Sequence, residues 1–384
     1  MRDVYSTAGG AGGRQITVDI LRGYFILSMA SGHVGAGAVT SLLHAWRWVD
    51  GACGFVCLSA FVLGLSQRAK WNRGQDAAQN WILRRVVQIW AISFALTLAG
   101  LALRLVDPEL GFIAEIFHRE RILGAIVEIA TLQLWVDYFG MLRMYVYFLA
   151  FAFLAVSLLK RNLDVVVIVV SAAFYLLVQL DTLDPALGWG ATPYALGKFS
   201  VPAWQFLFFA GLVAGWRWKE IFEPLVLRWR QAIIGVSALG LAGFIWLAHG
   251  YKVAALTPFH PGDLTPWFDK FNLSPPVLIY FACILGVLPA LIQAVRRLAL
   301  MERALRGVAL IGRHSLACYV ILCVTQGAMW LAADPAPADA HGGKHWLWFG
   351  IATALFALYA GLVEIRAPRR AATPHRESPT ALPV

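Results

Sequence analysis

The sequence predicts an all-α polytopic membrane protein, and three observations predict it. Of 384 residues, 59% are hydrophobic and 14% charged, where soluble domains run near 45–50% and about 25%. Apolar runs of roughly 18–22 residues recur along the chain, the length a helix needs to cross a bilayer. The positive charges fall between those runs, as cytoplasmic loops require. The net charge of +10 therefore reports membrane topology; no basic patch forms, and nucleic-acid binding is excluded. Sixteen tryptophans suit the two bilayer interfaces.

Candidate runs occupy residues 16–38, 50–67, 82–104, 122–138, 141–159, 163–180, 202–216, 231–249, 277–295, 308–331 and 346–363. Residues 1–15 are Gly-rich and weakly charged, and no small-residue cleavage site follows the first run. The expectation is a disordered cytoplasmic N-terminus and a retained first span. Basic residues cluster around Arg68–Arg85, Lys160, Arg217–Arg230, Arg296–Arg313 and Arg366–Arg376. If all these clusters are cytoplasmic, an even number of crossings separates each consecutive pair. Three runs lie between Arg85 and Lys160, so one of them does not cross. The weakest is 122–138, which carries Glu128 and Asp137; it is expected to re-enter or to lie along the outer surface, packed on protein. About ten transmembrane helices remain, with the N and C termini cytoplasmic. They form one membrane-embedded domain over 16–363, followed by a disordered basic cytoplasmic tail over 364–384. The inside segments then hold 22 of the 32 Lys and Arg.

Outside segments differ in kind. Residues 250–276 combine His260, Pro261, Trp267 and Phe268 with acidic side chains. Aromatic faces of this sort suit stacking on sugar rings, although interface anchoring is the plainer use of each. The five cysteines lie in or beside apolar runs. No histidine or carboxylate stands at ligand spacing from them, so no metal site is expected.

The stretch with most chemistry is VDILRGYFILSMASGH, residues 18–33. Asp19, Arg22 and His33 are ionisable groups inside an apolar run, where such groups are costly and mark a functional site. Arg22 and His33 are eleven residues apart, about 1100° of rotation, so they share a helix face roughly 16 Å apart along the axis. Asp19 lies one turn before Arg22 on nearly the same stripe, placed to hold it by an ion pair. A guanidinium at the cytoplasmic end suits the phosphates of an acyl donor. An extended donor arm of about 15–20 Å would bring a thioester towards His33. Neutral His33 would then serve as general base for an acceptor hydroxyl. The competing structural reading has Arg22 snorkelling to headgroups and His33 bonding a neighbouring helix.

These residues resemble the acyltransferase-3 superfamily of membrane acyltransferases, whose hallmark is an arginine and a histidine separated by ten residues, as for Arg22 and His33. GFVCLSAFVLGL (54–65) resembles its F-x-x-L-S-G-F signature, with Ala60 in place of the glycine. Three more stretches are similar to the OpgC branch, the succinyltransferases of osmoregulated periplasmic glucans: VDYFGMLRMYVYFL (136–149), FSVPAWQFLFFAGLVAG (199–215) and IGRHSLACYV (311–320). Arg143 and Met144 stand where that branch has Pro and Leu, and Val201 where it has Asn.

The resemblance implies a multi-pass protein of the bacterial inner membrane, surrounded by lipid. It would move succinyl from cytoplasmic succinyl-CoA, an acyl-CoA co-substrate, to a periplasmic glucan acceptor, with no bound cofactor. It implies donor-binding roles for Arg22, Arg313 and His314, and acceptor-binding roles for Trp204, Gln205 and Asp137. Arg143 is a candidate partner for the free carboxylate of a dicarboxylic acyl group. Acetyl transfer to another envelope polysaccharide is the nearest alternative. A secondary transporter is the rival from another class, but no internal repeat is found to support it.

Overall fold

The computed structural model describes residues 16–34, 43, 48–75, 79–106, 122–133, 140–183, 195–196, 199–249, 264–332 and 344–366. Nearly all of them are helical. In chain order the helices are α1 (Ile16–Val34), α2 (Gly51–Trp71), α3 (Asn80–Val106), α4 (Ile122–Ala130), α5 (Gly140–Lys160), α6 (Asp164–Leu183) and α7 (Val201–Trp216). A π turn (Trp218–Phe222) and the short α8 (Glu223–Arg228) lead into α9 (Arg230–His249). A 3₁₀ turn (Thr265–Phe268) precedes α10 (Pro275–Val295), α11 (Ala299–Arg313), α12 (Ser315–Ala332) and α13 (Lys344–Arg366). A two-stranded antiparallel pair, Ala195–Leu196 with Phe199–Ser200, leads into α7.

Among the described residues, six helices are long and apolar enough to cross a membrane: α2, α3, α5, α9, α10 and α13. The bent pair α11–α12 makes up to seven. α1 falls outside that set because Asp19, Arg22 and His33 lower its hydropathy, and α7, at sixteen residues, falls outside it by length.

α1 is the hub, touching α2, α10, α11, α12 and α13. The closest pairing is α2 with α7, and glycine makes it possible. A Cβ at Gly211 or Gly215 would overlap the backbone of Cys57 or Phe61, and one at Gly64 would overlap Leu212. Gly211 and Gly215 form a small-xxx-small face, which lets membrane helices approach at backbone distance. Ala60, fully buried, meets that face at Gly211. Close approach therefore survives the loss of a glycine at position 60, because α7 supplies the glycines.

Of the 122–138 stretch, residues 122–133 are described, and the helix there is short. α4 has nine residues, about 14 Å against a hydrocarbon core of roughly 30 Å. It packs on α3, and its Ala130 carbonyl accepts from the Trp90 indole N–H at 2.9 Å. Leu132, in the left-handed region at φ 63°, ends it. The expected continuous span over 308–331 needs correction: α11 and α12 meet at an angle of 84°. α11 carries Glu302, Arg303, Arg306 and Arg313, whereas α12 carries no charge. A helix so charged cannot share one buried path with an apolar one, and the chain turns at His314. Asp137, with the disordered segments expected over 1–15 and in most of 364–384, lies outside the described residues; α13 runs on to Arg366.

Polar groups gather at the Arg22 end of the bundle. Gln79 donates to the Phe153 carbonyl and to Ser157, and accepts from Lys160 at 2.9 Å, tying α3 to α5. Arg217 pairs with Asp164 at 2.5 Å and Glu220 at 2.8 Å, and Arg68 reaches the same Glu220 from α2. The Arg217 guanidinium, with Arg68 behind it, holds the Glu220 carboxyl below its ordinary range. A depressed folded value stabilises above the unfolded value and is lost as pH falls through the folded one.

Two outcomes follow from this packing. Gly215→Val should lower the melting temperature of the detergent-solubilised protein, whereas Gly235→Val, in open space, should not; equal melting of the two variants would contradict the close α2–α7 contact. Acidification below about pH 4.3, the unfolded carboxylate value, should lower the melting temperature less in Glu220→Gln than in wild type.

Candidate functional site

Arg22 is half-buried in the second turn of α1, and its Nη2 donates to Ser315 Oγ at 2.7 Å. Ser315 opens α12 at the 84° bend, so the break delivers a hydroxyl to Arg22. Asp19 is 3% exposed. Its Oδ2 lies 3.4 Å from Arg313 Nε, and Arg313 Nη1 lies 3.3 Å from Glu364 Oε1 on α13. His314 Nε2 stands 3.6 Å from the same Glu364, with its ring edge-on to Tyr359. The consecutive residues Arg313, His314 and Ser315 thus clasp α1 and α13. Gly312 permits it: a Cβ there would overlap the Asp19 carbonyl. A buried carboxylate needs such partners, since an unpaired charge in an apolar interior is costly.

Beside Arg22 runs a cavity of about 150 Å³, lined among others by Ser59, Ser66, Trp81, Arg85 and Tyr145. Its α2 lining extends from Ser66 to Phe55, eleven residues or about 16 Å of helix. It therefore runs lengthwise along the bundle, parallel to the polar stripe of α1. One end holds Arg85 and the exposed ring of Trp81; the guanidinium of Arg85 and the ammonium of Lys70 lie 5.9 and 5.1 Å from that ring. The other end is floored by Phe55, Tyr145 and Phe208, in edge contacts with ring centroids 5.3 and 6.2 Å apart. Tyr145 also donates to the Phe55 carbonyl at 3.1 Å. At about 150 Å³ the space is small beside the roughly 300–1,000 Å³ of a typical small-molecule pocket. It suits a slender chain, with the guanidiniums of Arg22 and Arg85 both in its lining.

The residues singled out by sequence do not all meet here. Arg22 lines the cavity; Asp19, Arg313 and His314 lie next to it in the ionic cluster. His33 is exposed at the far end of α1 and is not among the lining residues. Gly54 packs on the Phe25 ring, so the closed end of the cavity lies about two turns, roughly 12 Å, short of His33. Arg143 is 1% exposed and faces protein, with the Tyr147 hydroxyl as a neighbour one turn on. Trp204 is buried and donates from Nε1 to the Phe271 carbonyl at 2.9 Å. Gln205 joins α7 to α6: it accepts from Ser171 Oγ and donates to the Ser171 and Pro202 carbonyls, all within 2.9 Å. Either residue could serve an acceptor only by exchanging these bonds.

A family model described as OpgC protein matches residues 14–370. The chain belongs to the OpgC family. No curated protein and no solved structure matches it. Membership makes this a glucan-modifying acyltransferase in general terms, and the match takes in α1 through α13.

In this OpgC-family chain, sequence reasoning missed Arg85, Trp81 and Glu364. Arg85 counted as one more inside charge, yet Trp81 and Arg85 stand at i and i+4, one face of a helix start. Glu364 is the lone acid of the last span, a signal that it meets a cation.

Proposed function

We propose that this protein is a membrane-bound O-acyltransferase. It transfers succinyl from cytoplasmic succinyl-CoA to hydroxyls of osmoregulated periplasmic glucans, within the acyltransferase-3 superfamily. The observation that carries the reading is the lengthwise cavity whose lining includes both Arg22 and Arg85. The proposed topology has ten crossings, with both termini cytoplasmic, in the bacterial inner membrane. This count takes the six long helices, the bent α11–α12 pair and the packed α1, α6 and α7 as the crossings.

In this reading the donor's phosphates meet Arg22 and Arg85, with Trp81 beside them. Guanidinium suits phosphate because its N–H groups form paired, charge-assisted bonds. Arg313 and His314 set the local charge, and Asp19 and Ser315 keep Arg22 from turning to water. The slender donor arm enters the cavity and parts the aromatic floor of Phe55, Tyr145 and Phe208 to reach His33. There neutral His33 takes the proton of an acceptor hydroxyl as its oxygen attacks the acyl carbon. The carbon–sulfur bond breaks, the thiolate leaves with the proton from His33, and an ester remains on the glucan. Arg143, buried near the start of α5, answers the free carboxylate of the succinyl group, and Asp137 helps to hold the acceptor.

Mass spectrometry of periplasmic glucans from cells carrying each variant tests the reading. His33→Ala should lower succinylation by roughly 10²–10⁴-fold, and Arg22→Ala should abolish most of it. With purified protein, Arg85→Ala should raise the donor KM by about tenfold or more, the loss of one charge-assisted bond, and leave the acceptor KM unchanged. Unchanged glucan substitution in both α1 variants would sink the mechanism.

A further inference from the structure

The segment between the 3₁₀ turn and α10 is held far more firmly than a connecting loop requires. The Phe271 carbonyl accepts from Ser200 N at 3.1 Å and from the Trp204 indole. The carbonyls of Leu273 and Asn272 each accept at 2.8 Å from α6, through Tyr175 Oη and Gln179 Nε2. Asp269 caps Phe271 N from within, and Ser274 Oγ donates to the Trp267 carbonyl. Phe268 stacks on Trp48 with centroids 4.0 Å apart, and Lys270 faces Asp50 at 3.7 Å. Leu273 is fully buried in the left-handed region, at φ 47°. A branched side chain keeps that conformation only where its surroundings over-determine it, as at binding sites.

All this rigidity presents one large side chain outward. Trp267 is 65% exposed, while its neighbour Phe268 is buried. Phe271 is partly exposed beside it, with Lys270 over its ring at 5.3 Å. The segment also lies at the His33 end of α1. Asp50 caps α2, and the next residue, Gly51, packs on Phe25 and Met29, the latter one turn before His33.

We propose that Trp267 is the stacking surface for a glucose ring of the acceptor, and that Trp204 is a positioning residue acting through the Phe271 carbonyl. The inference rests on the glucan acceptor proposed above. A flat indole on a fixed backbone presents an apolar face to the C–H face of a sugar ring at little conformational cost. Lys270 and Asn272 on the same segment offer donors for its hydroxyls. The indole of Trp204, read from sequence as a direct sugar contact, here fixes the backbone that carries the true contact.

The test uses the full chain in lipid nanodiscs, with an unsubstituted neutral β-glucan oligosaccharide as calorimetric probe and acyl transfer measured in parallel. Trp267→Ala should weaken glucan binding about tenfold, roughly the worth of one aromatic stack with its buried area, with the donor KM unchanged; Trp267→Phe should recover most of it. Trp204→Phe, which removes only the indole N–H, should weaken glucan binding and add little on top of Trp267→Ala. Glucan binding unchanged in Trp267→Ala overturns the proposal. So does a parallel loss of donor binding and thermal stability, the result expected of a mere lipid-interface anchor. Trp267-dependent binding without acyl transfer by wild type would keep this surface and defeat the acyltransferase reading; transfer indifferent to Trp267 would do the reverse.

Discussion

A carboxylate and a guanidinium can sit inside an apolar helix bundle only where other polar groups come to meet them. Asp19 and Arg22 impose that condition on α1, and the rest of the fold answers it. The chain turns through 84° at His314, and the turn brings Arg313 to Asp19 and Ser315 to Arg22. Glu364 then meets Arg313 and His314 from α13. Without the turn, α11 would carry its arginines away from α1, and the buried acid would lose its cation.

The second constraint is space. The cavity beside Arg22 exists because α2 runs against α7 at backbone distance, through Gly64, Gly211 and Gly215, while α3 stands further off across Trp81, Arg85 and Ile89. Tight packing on one flank of α2 and a gap on the other make a lengthwise slot. At the opposite end of the bundle, the firmly bonded segment before α10 lies beside the last turns of α1. The molecule thus has a cationic end with an elongated cavity and an aromatic end with a fixed surface, and α1 joins them.

Much of this was legible in the sequence. The spacing of Asp19, Arg22 and His33 fixed a stripe on one helix, because helical geometry is local. Charge parity singled out 122–138 as the run that does not cross; the helix described there, α4, has nine residues. The bend at His314 was not legible, because residues 308–312 are as apolar as α12 and only Arg313 and His314 interrupt the run. The role of Arg85 depends on α2 and α5 facing α3, which no local pattern states. The burial of Trp204 was not legible for the same reason: its hydrogen-bond partner is 67 positions away, and a buried indole reads in sequence like an exposed one. His33 keeps its place on the stripe, but the aromatic floor that separates it from the cavity is tertiary and could not be read.

The central claim is that acyl donor and glucan meet α1 from opposite sides of the membrane. Proteoliposomes of uniform orientation, with acyl-CoA supplied on one face and glucan on the other, test it most directly. Acylated glucan should form when the donor is on the Arg22 side and the acceptor on the His33 side, and should not form when both are confined to one face. Equal transfer with both substrates on the same side would contradict it.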